Sequence, residues 1–247
     1  MTTLIIAIAG FFAGFVDSVV GGGGMISLPT FLALGLPPTL ALGTNKVVGI
    51  STAIASSACY GASRSINWKV VIPTACFGVM ASAIGAFTAT VTDPTVLRPI
   101  ILIGLFLVAT YLLFKNRFGL QERPKKLHHP FWGILLGVGV GFYDGFFGPG
   151  TGTFLMMAFV GLFGEDLLRA SANSRLINFA TNLGALMLFA SRGQVHFSYA
   201  LPGAIAAFVG GLCGATWAIR KGSKAIRPVF IIAVWALMIK LVWDLWK

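Results

Sequence analysis

The chain alternates long apolar runs with short polar segments, and the lengths of these runs predict membrane-spanning helices. Each run is long enough to cross a hydrocarbon core of about 30 Å as a helix, which takes about 20 residues. Two of the runs, residues 4–36 and 131–164, are longer than one span needs and contain clusters of glycine. The other six runs have 19 to 25 residues each: 39–63, 70–91, 97–115, 168–191, 198–219 and 227–246.

The two longer runs do not fit a single straight span. At about 1.5 Å rise per residue, a helix over residues 4–36 would be roughly 50 Å long, which exceeds the hydrocarbon core. Each run carries one acidic residue, Asp17 in the first and Asp144 in the second. Glycines interrupt the runs at positions 21–24 and at positions 148, 150 and 152. The chain is therefore predicted to break or fold back at these glycines.

The second half of the chain repeats the first. Six residues around the first glycine cluster recur 127 positions later, and further matches follow at a spacing of 129. Such self-similarity indicates a duplicated structural unit. We divide the chain into a first repeat at 1–115, a linker at 116–130 and a second repeat at 131–247. The matched pairs include Gly10/Gly137, Gly14/Gly141, Asp17/Asp144, Gly21/Gly148, Thr52/Thr181, Pro73/Pro202 and Gly85/Gly214.

The composition indicates an integral membrane protein. Apolar residues make up 57% of the chain and charged residues 10%, and the mean hydropathy is +0.88. Too little polar surface remains to cover a soluble protein. Within lipid, a multi-pass helical chain satisfies its backbone hydrogen bonds internally. The net charge of +11 arises from cations crowded into short loops, so the expected partner is membrane lipid and not nucleic acid.

The loop charges favour two fold-back hairpins over two broken spans. With hairpins, 12 of the 15 cations in loops and at chain ends lie on the side of the basic linker, and 3 lie on the other side. With broken spans the same cations divide 9 to 6. Because cytoplasmic loops carry the excess of Lys and Arg, the linker is placed inside and the hairpins are preferred. A hairpin plus three spans is an odd number of crossings, so the repeats must be inverted.

The predicted fold is all-α: a polytopic membrane protein built from two inverted repeats, each a glycine-broken hairpin plus three transmembrane helices. Pairs of glycines four residues apart predict close helix packing, because small residues let two backbones approach. Association of identical chains into a homo-oligomer is compatible with this plan. The glycine pairs are Gly10/Gly14, Gly137/Gly141 and Gly210/Gly214.

Two cations, Lys46 and Arg175, lie inside apolar runs and match each other at the 129-residue spacing. An unpaired cation at the centre of a membrane helix costs about 2.5 to 3.5 kcal/mol. Two interpretations follow. Asp17 and Asp144 neutralise the cations as buried ion pairs, or the cations line a cavity in which a permeating anion supplies the missing charge.

The glycine clusters favour the second interpretation. If each hairpin turns there, a half-helix begins deep in the bilayer, near Met25 and near Thr153, and its N-terminus attracts an anion. Inverted repeats would join both clusters in one site. Asp17 and Asp144 are then candidate proton carriers. The predicted substrate-binding residues are Gly22, Gly23, Gly24, Thr44, Asn45, Lys46, Gly150, Thr151, Gly152, Asn173, Ser174 and Arg175.

The sequence lacks the motifs of common enzymes. It has no Walker glycine-lysine motif, no zinc-protease helix motif, no nucleophile elbow and no dinucleotide fingerprint. Its three cysteines, Cys59, Cys76 and Cys213, show no metal-site spacing. We expect no catalytic residue, no metal and no cofactor.

The sequence resembles the sulfite exporter TauE/SafE family of the toluene sulfonate uptake permease superfamily. The resemblance covers nearly the whole chain and is carried by residues 14–24 (GFVDSVVGGGG) with Pro29, residues 43–46 (GTNK) and residues 141–152 (GFYDGFFGPGTG). It implies a cell-membrane carrier of sulfur-containing anions, such as sulfite, sulfoacetate or other organosulfonates.

Together these observations predict a secondary transporter that exports a small sulfur-containing anion. The anion is expected to bind near the bilayer midplane between the repeats, with protons as a candidate coupling ion. The alternative is a membrane scaffold or delivery subunit that serves sulfur-anion metabolism without free transport.

Overall fold

The structure is a computed structural model that describes residues 1–63, 66–93, 95–97, 99, 103 and 130–222, except for the side chains of residues 62, 63 and 130. Within this part of the chain, all regular structure is α-helical. The first half contains α1 (Thr2–Val20), α2 (Gly24–Ala33), α3 (Pro38–Ser63) and α4 (Trp68–Val91). The second half contains α5 (Pro130–Phe146), α6 (Thr151–Gly161), α7 (Leu167–Ser191) and α8 (Phe197–Lys221).

These helices confirm the predicted helix bounds over the described residues. The runs 39–63, 70–91, 168–191 and 198–219 correspond to α3, α4, α7 and α8 to within two residues at each end. The glycine clusters separate α1 from α2 and α5 from α6, as predicted. Three further predicted segments lie outside the described residues apart from positions 97, 99, 103 and 130: the spans 97–115 and 227–246 and the linker 116–130.

The long helices have the length and the surface of membrane spans. α1, α4 and α8 have mean hydropathies of 2.1, 1.9 and 1.5. Large apolar side chains are exposed on their outer faces, among them Ile8, Phe12, Ile84 and Ile205. Such a continuous apolar surface indicates contact with lipid. α3 and α7 have 26 and 25 residues, so at about 1.5 Å per residue each reaches roughly 38 Å.

The chain turns back at the first glycine cluster. A Cβ added to Gly23 would lie 2.6 Å from the carbonyl oxygen of Ala13, whereas ten residues of continuous helix would separate the two by about 15 Å. α2 then runs back along α1, since a Cβ on Gly203 would lie 3.2 Å from Ile6 and 3.8 Å from Phe31. The break therefore reverses the chain and does not merely bend one span.

Small residues bring helices of the two halves into backbone contact, as the glycine spacing predicts. A Cβ on Gly10 would lie 2.5 Å from the carbonyl oxygen of Gly203, and one on Gly14 would lie 2.1 Å from that of Ala207. Successive residues of α1 thus meet successive residues of α8, so the two helices run parallel. The equivalent contacts between α5 and α4 are Gly137 against Thr74 and Gly141 against Gly78.

α1 and α3 run in the same direction, and this explains why α2 must return the chain. Ser51 of α3 donates a hydrogen bond to the carbonyl of Ala204 at 2.7 Å, and Ala55, one turn later, lies against Gly211. α3 is therefore parallel to α8, as α1 is. Two consecutive long helices with one direction need a returning segment between them, and α2 supplies it.

α3 and α7, the equivalent helices of the two halves, run antiparallel at the centre of the fold. A Cβ on Gly43 would lie 2.9 Å from the side chain of Phe189, and one on Gly49 would lie 2.8 Å from the side-chain oxygen of Asn182. Moving forward along α3 thus moves backward along α7. The polar residues of both helices face each other here, beside the two glycine breaks.

Candidate functional site

Glycines in the left-handed region form the two breaks. Gly21 follows α1 with φ of +86°, and Gly148 and Gly150 have φ of +93° and +85° before α6. L side chains rarely adopt these angles, so the breaks need glycine. At the second break, the hydroxyl of Tyr143 donates to the carbonyl of Pro149 at 2.5 Å. Each break places the start of a short helix in the buried interior.

A polar cavity of about 20 Å³ lies where the two breaks meet. This is room for about one water molecule. Glycines of both breaks form part of its wall, and the remaining polar groups come from both halves, so the cavity lies between them. The polar side chains that line it are Asp17, Ser27, Asn45, Lys46, Thr52, Asp144, Asn178 and Asn182.

Two buried ion pairs cross between the halves at this cavity. Nζ of Lys46 lies 2.9 Å from Oδ1 of Asp144 and also donates to the main-chain carbonyl of Asp144. Nη1 of Arg175 lies 3.3 Å from Oδ2 of Asp17 and donates to the main-chain carbonyl of Asp17 at 2.5 Å. Lys46 is 1% exposed and Arg175 is 0% exposed. Each cation is therefore neutralised by the acidic residue of the opposite half.

This pairing decides between the two interpretations drawn from the sequence, for the conformation seen here. Lys46 and Arg175 do have carboxylate partners, so the expectation that only a permeating anion neutralises them is not met. The cause is the crossed packing of the halves, which sets the broken helix of one half against the cation-bearing helix of the other. The pairs still border a polar cavity and not a dry apolar core.

The carboxylates occupy the positions where the sequence predicts an anion. Oδ1 of Asp17 accepts the main-chain N–H of Gly23 at 3.0 Å, at the start of α2. Oδ1 of Asp144 accepts the hydroxyl of Thr151 at 2.8 Å, at the start of α6. The N-cap residues of these two helices, Gly23 and Gly150, have no side chain. An anion can therefore approach both helix starts closely.

The predicted site residues divide into those at the cavity and those beside it. Asn45 lines the cavity, and its side-chain oxygen accepts the hydroxyl of Ser27 at 2.5 Å. Ser174 instead bonds back to the carbonyl of Ala170 in its own helix at 2.6 Å. At the wall lie Gly23, Gly24, Asn45, Lys46, Gly150 and Gly152 with both aspartates, whereas Gly22, Thr44, Thr151, Asn173, Ser174 and Arg175 lie outside it.

Thr44 and Asn173 each accept a hydrogen bond from a loop of the opposite half. The hydroxyl oxygen of Thr44 accepts the main-chain N–H of His196 at 3.0 Å, and Oδ1 of Asn173 accepts that of Asn67 at 3.1 Å. Asn173 also donates to Oε2 of the buried Glu165 at 2.7 Å. The two loop contacts are equivalent at the 129-residue spacing. They link α3 to the loop before α8, and α7 to the loop before α4.

Sequence reasoning missed two amides on α7, Asn178 and Asn182, that line the cavity. Asn182 donates to the main-chain carbonyl of Asn178 at 2.7 Å, and both residues are 5% exposed. A signal for them was present, because they follow Arg175 at three and seven residues, the spacing of one helix face. Their first-half equivalents are Gly49 and Ala53, so a search for repeated residues passes over them.

Comparison with known proteins identifies the family. A family model described as Sulfite exporter TauE/SafE matches residues 6–241. The chain belongs to this family. It is 36% identical to a probable membrane transporter protein, ORF9, of Sinorhizobium sp over 237 residues, which cover 96% of this chain and 91% of that one. It is 32% identical to a probable membrane transporter protein of Haemophilus influenzae, covering 97% and 94% of the two chains.

A third relative and the family description agree on the class of protein. The chain is 34% identical to the probable membrane transporter protein YfcA of Escherichia coli, over 94% of this chain and 86% of that one. No solved structure matches the chain. The family and these relatives are described as membrane transporters and not as enzymes. The chain is therefore a multi-pass membrane transporter protein of the TauE/SafE family.

Proposed function

We propose that the protein is a secondary transporter that exports sulfur-containing anions, such as sulfite, sulfoacetate or other organosulfonates. The observation that carries this proposal is the polar cavity between the two glycine breaks, with two buried cations beside it. Ionised side chains are costly inside a membrane and typically mark a substrate or ion pathway. The family's description as sulfite exporters supports the sulfur-containing class of anion.

The repeats 1–115 and 131–247, joined by the linker 116–130, are proposed to be inverted relative to each other. Two observations support this. The equivalent helices α3 and α7 run antiparallel, and each cross-half ion pair has a counterpart at the 127- and 129-residue spacings. In such a fold, the site sits near the bilayer midplane, and rocking one repeat against the other opens it to either side.

In this mechanism, the substrate anion takes the place of a carboxylate. Asp17 and Asp144 satisfy Lys46 and Arg175 while the cavity has room for about one water. A sulfonate or sulfite group needs more space, so it enters only when the halves separate and the ion pairs loosen. Lys46, Arg175 and the N-termini of α2 and α6 then contact the anion.

A proton accompanies the anion in this mechanism. A carboxylate displaced from its cation would stay buried and unpaired, which costs several kcal/mol, so Asp17 or Asp144 takes up a proton instead. A substrate with two negative charges then crosses with one net charge. An inside-negative potential favours its exit by about 2.3 kcal/mol per 100 mV, which agrees with the proposed outward direction.

The test is anion flux through vesicles containing the Lys46→Gln or Arg175→Gln variant at matched amounts of protein. Both variants remove a buried charge, so each is expected to lower the flux of sulfite or sulfoacetate by at least about tenfold, since the loss of one charge-assisted contact is worth about 1.5–3 kcal/mol. Arg192→Gln, on an exposed loop, serves as the control for expression and insertion. Undiminished flux in both site variants would refute the proposed role of the cavity.

A further inference from the structure

The two buried cations differ in how fully their hydrogen-bond donors are used. The single ammonium group of Lys46 contacts both a carboxylate oxygen and the main-chain carbonyl of Asp144. Arg175 engages Asp17 through Nη1 alone. Its Nε and Nη2 atoms are buried and find no acceptor in the described part of the chain. Arg175 therefore differs from Lys46 in having two buried donor atoms without an acceptor in the described residues.

The unused donors form one edge of the guanidinium group. The Nε–H and Nη2–H bonds point in the same direction, at a spacing that suits two oxygens of one oxyanion. A buried donor without an acceptor is unfavourable. An arginine that is 0% exposed and leaves this edge unpaired is therefore suited to receive a ligand from outside the chain.

Two glycines lie between the Nη2 end of this edge and the cavity. A Cβ added to Gly152 would lie 2.9 Å from Nη2 of Arg175 and 2.7 Å from Cα of Gly21. One added to Gly21 would lie 2.2 Å from the carbonyl carbon of Gly152. Both glycines line the cavity. The backbones of the two glycines meet at this point, so neither residue places a side chain between Nη2 and the cavity.

We infer that the Nε–Nη2 edge of Arg175 is the docking point of the substrate, and that it binds two oxygens of a single sulfonate or sulfite group once Gly21 and Gly152 separate. The inference rests on the proposed function, because it concerns the same cavity. In this inference Arg175 makes the site selective, because its two parallel N–H donors favour anions with two oxygens on one atom over halide and thiocyanate. Lys46 attracts any anion, because its ammonium group does not require a particular arrangement of acceptor atoms.

The test measures binding to the purified full-length protein. Sulfoacetate and sulfite are the probes, acetate is a second oxyanion, and chloride and thiocyanate are competitors that lack two oxygens on one atom. The wild type is expected to bind the oxyanions at least about tenfold more tightly than chloride or thiocyanate. Arg175→Lys keeps the charge but removes the planar edge, so it should lose most of this ratio. Arg192→Lys makes the same change on an exposed loop and should keep it.

Two outcomes overturn the inference. One is a wild-type protein that binds chloride or thiocyanate as tightly as the oxyanions, or binds no oxyanion. The other is a folded Arg175→Lys protein with the wild-type ratio. Because the wild-type competition needs no variant, it decides even if Arg175→Lys fails to fold.

The same data separate this inference from the proposed function. If acetate binds through Arg175 but neither sulfur anion does, the docking edge stands and the sulfur assignment falls. If sulfoacetate binds and Arg175→Lys leaves the ratio unchanged, the proposed function stands and the docking edge falls. Gly152→Ala supplies a further check, because its Cβ would press on both Cα of Gly21 and Nη2 of Arg175, at the place where the two glycines must separate. It should weaken oxyanion binding, whereas Gly139→Ala, whose Cβ meets nothing within 4 Å, should not.

Discussion

Asp17 and Asp144 each form an ion pair with a cation of the opposite half and also line the cavity. Changing either side chain therefore affects both the stability of the fold and the cavity. Removing one partner of a buried ion pair leaves an uncompensated charge and typically costs about 3–5 kcal/mol. A substrate anion that separates Lys46 from Asp144 must therefore bring comparable interactions of its own. In the proposed exchange, Thr151 would support the displaced carboxyl group, because its hydroxyl already donates to Oδ1 of Asp144 and can stay with it after the cation has left.

If an anion displaces Asp17 or Asp144 from its cation and that aspartate is protonated, the protein takes up a proton when the anion binds. This uptake can be measured. Sulfoacetate stays fully ionised near neutral pH, so its own groups do not take up protons. Adding it to weakly buffered, purified protein is expected to raise the pH, with uptake of about one proton per bound anion. Asp144→Asn or Asp17→Asn should reduce this uptake, because an amide cannot accept the proton.

Asp93→Asn is the matched control, since it makes the same change on an exposed loop. It should leave proton uptake as in the wild type. Saturating sulfoacetate that binds without any change in pH would contradict the proton-linked mechanism.

At the scale of the helices, the effect of replacing a glycine on stability depends on whether a neighbouring helix lies against it. Gly141 and Gly139 lie two residues apart on α5. A Cβ on Gly141 would lie 2.6 Å from the carbonyl oxygen of Gly78, whereas one on Gly139 meets nothing within 4 Å. Gly141→Ala is therefore expected to destabilise the protein by about 1–3 kcal/mol through overpacking, seen as a lower Tm in detergent.

Gly139→Ala serves as the control in the same helix. Replacing an exposed helical glycine by alanine favours the helix by up to about 1 kcal/mol, so its Tm should equal or exceed that of the wild type. Equal Tm values for the two alanine variants would show that the contact between α4 and α5 is not as close as described.

The helices and their breaks were predictable because each depends on short stretches of sequence. Run length sets the spans, and the glycines at 21–24 and 148–152 mark the turns. The face that a helix turns toward a cavity depends on packing against other helices. The sequence prediction therefore omits Asn178. It includes Thr44 and Asn173, which accept hydrogen bonds from the loops of the opposite half in the structure. The spacing of 127 to 129 residues identifies equivalent residues in the two halves. It does not show that each cation pairs with the acidic residue of the opposite half.

At the scale of the whole molecule, the contacts favour the hairpin topology that the loop charges predict. α1 and α3 both run parallel to α8, which a single broken span in place of α1 and α2 does not allow. With the linker inside, the hairpin topology predicts that the loop before α4 lies on the cytoplasmic side and the loop before α8 on the opposite side. The hairpin topology and the broken-span topology both place the loop before α4 inside. They differ in the side on which the loop before α8 lies, so that loop distinguishes them.

Cysteine labelling in intact cells can distinguish these topologies. Lys69→Cys and Arg192→Cys, both at exposed positions, are made singly in a chain whose Cys59, Cys76 and Cys213 are replaced by alanine. Cysteine at position 69 is expected to lie inside in either topology, so it should react only with a membrane-permeant reagent. Cysteine at position 192 is expected to react with an impermeant reagent added outside, because an odd number of crossings inverts the second repeat. Labelling of position 192 only from the cytoplasmic side would require broken spans and parallel repeats, and the antiparallel α3–α7 pair that frames the cavity could not then form.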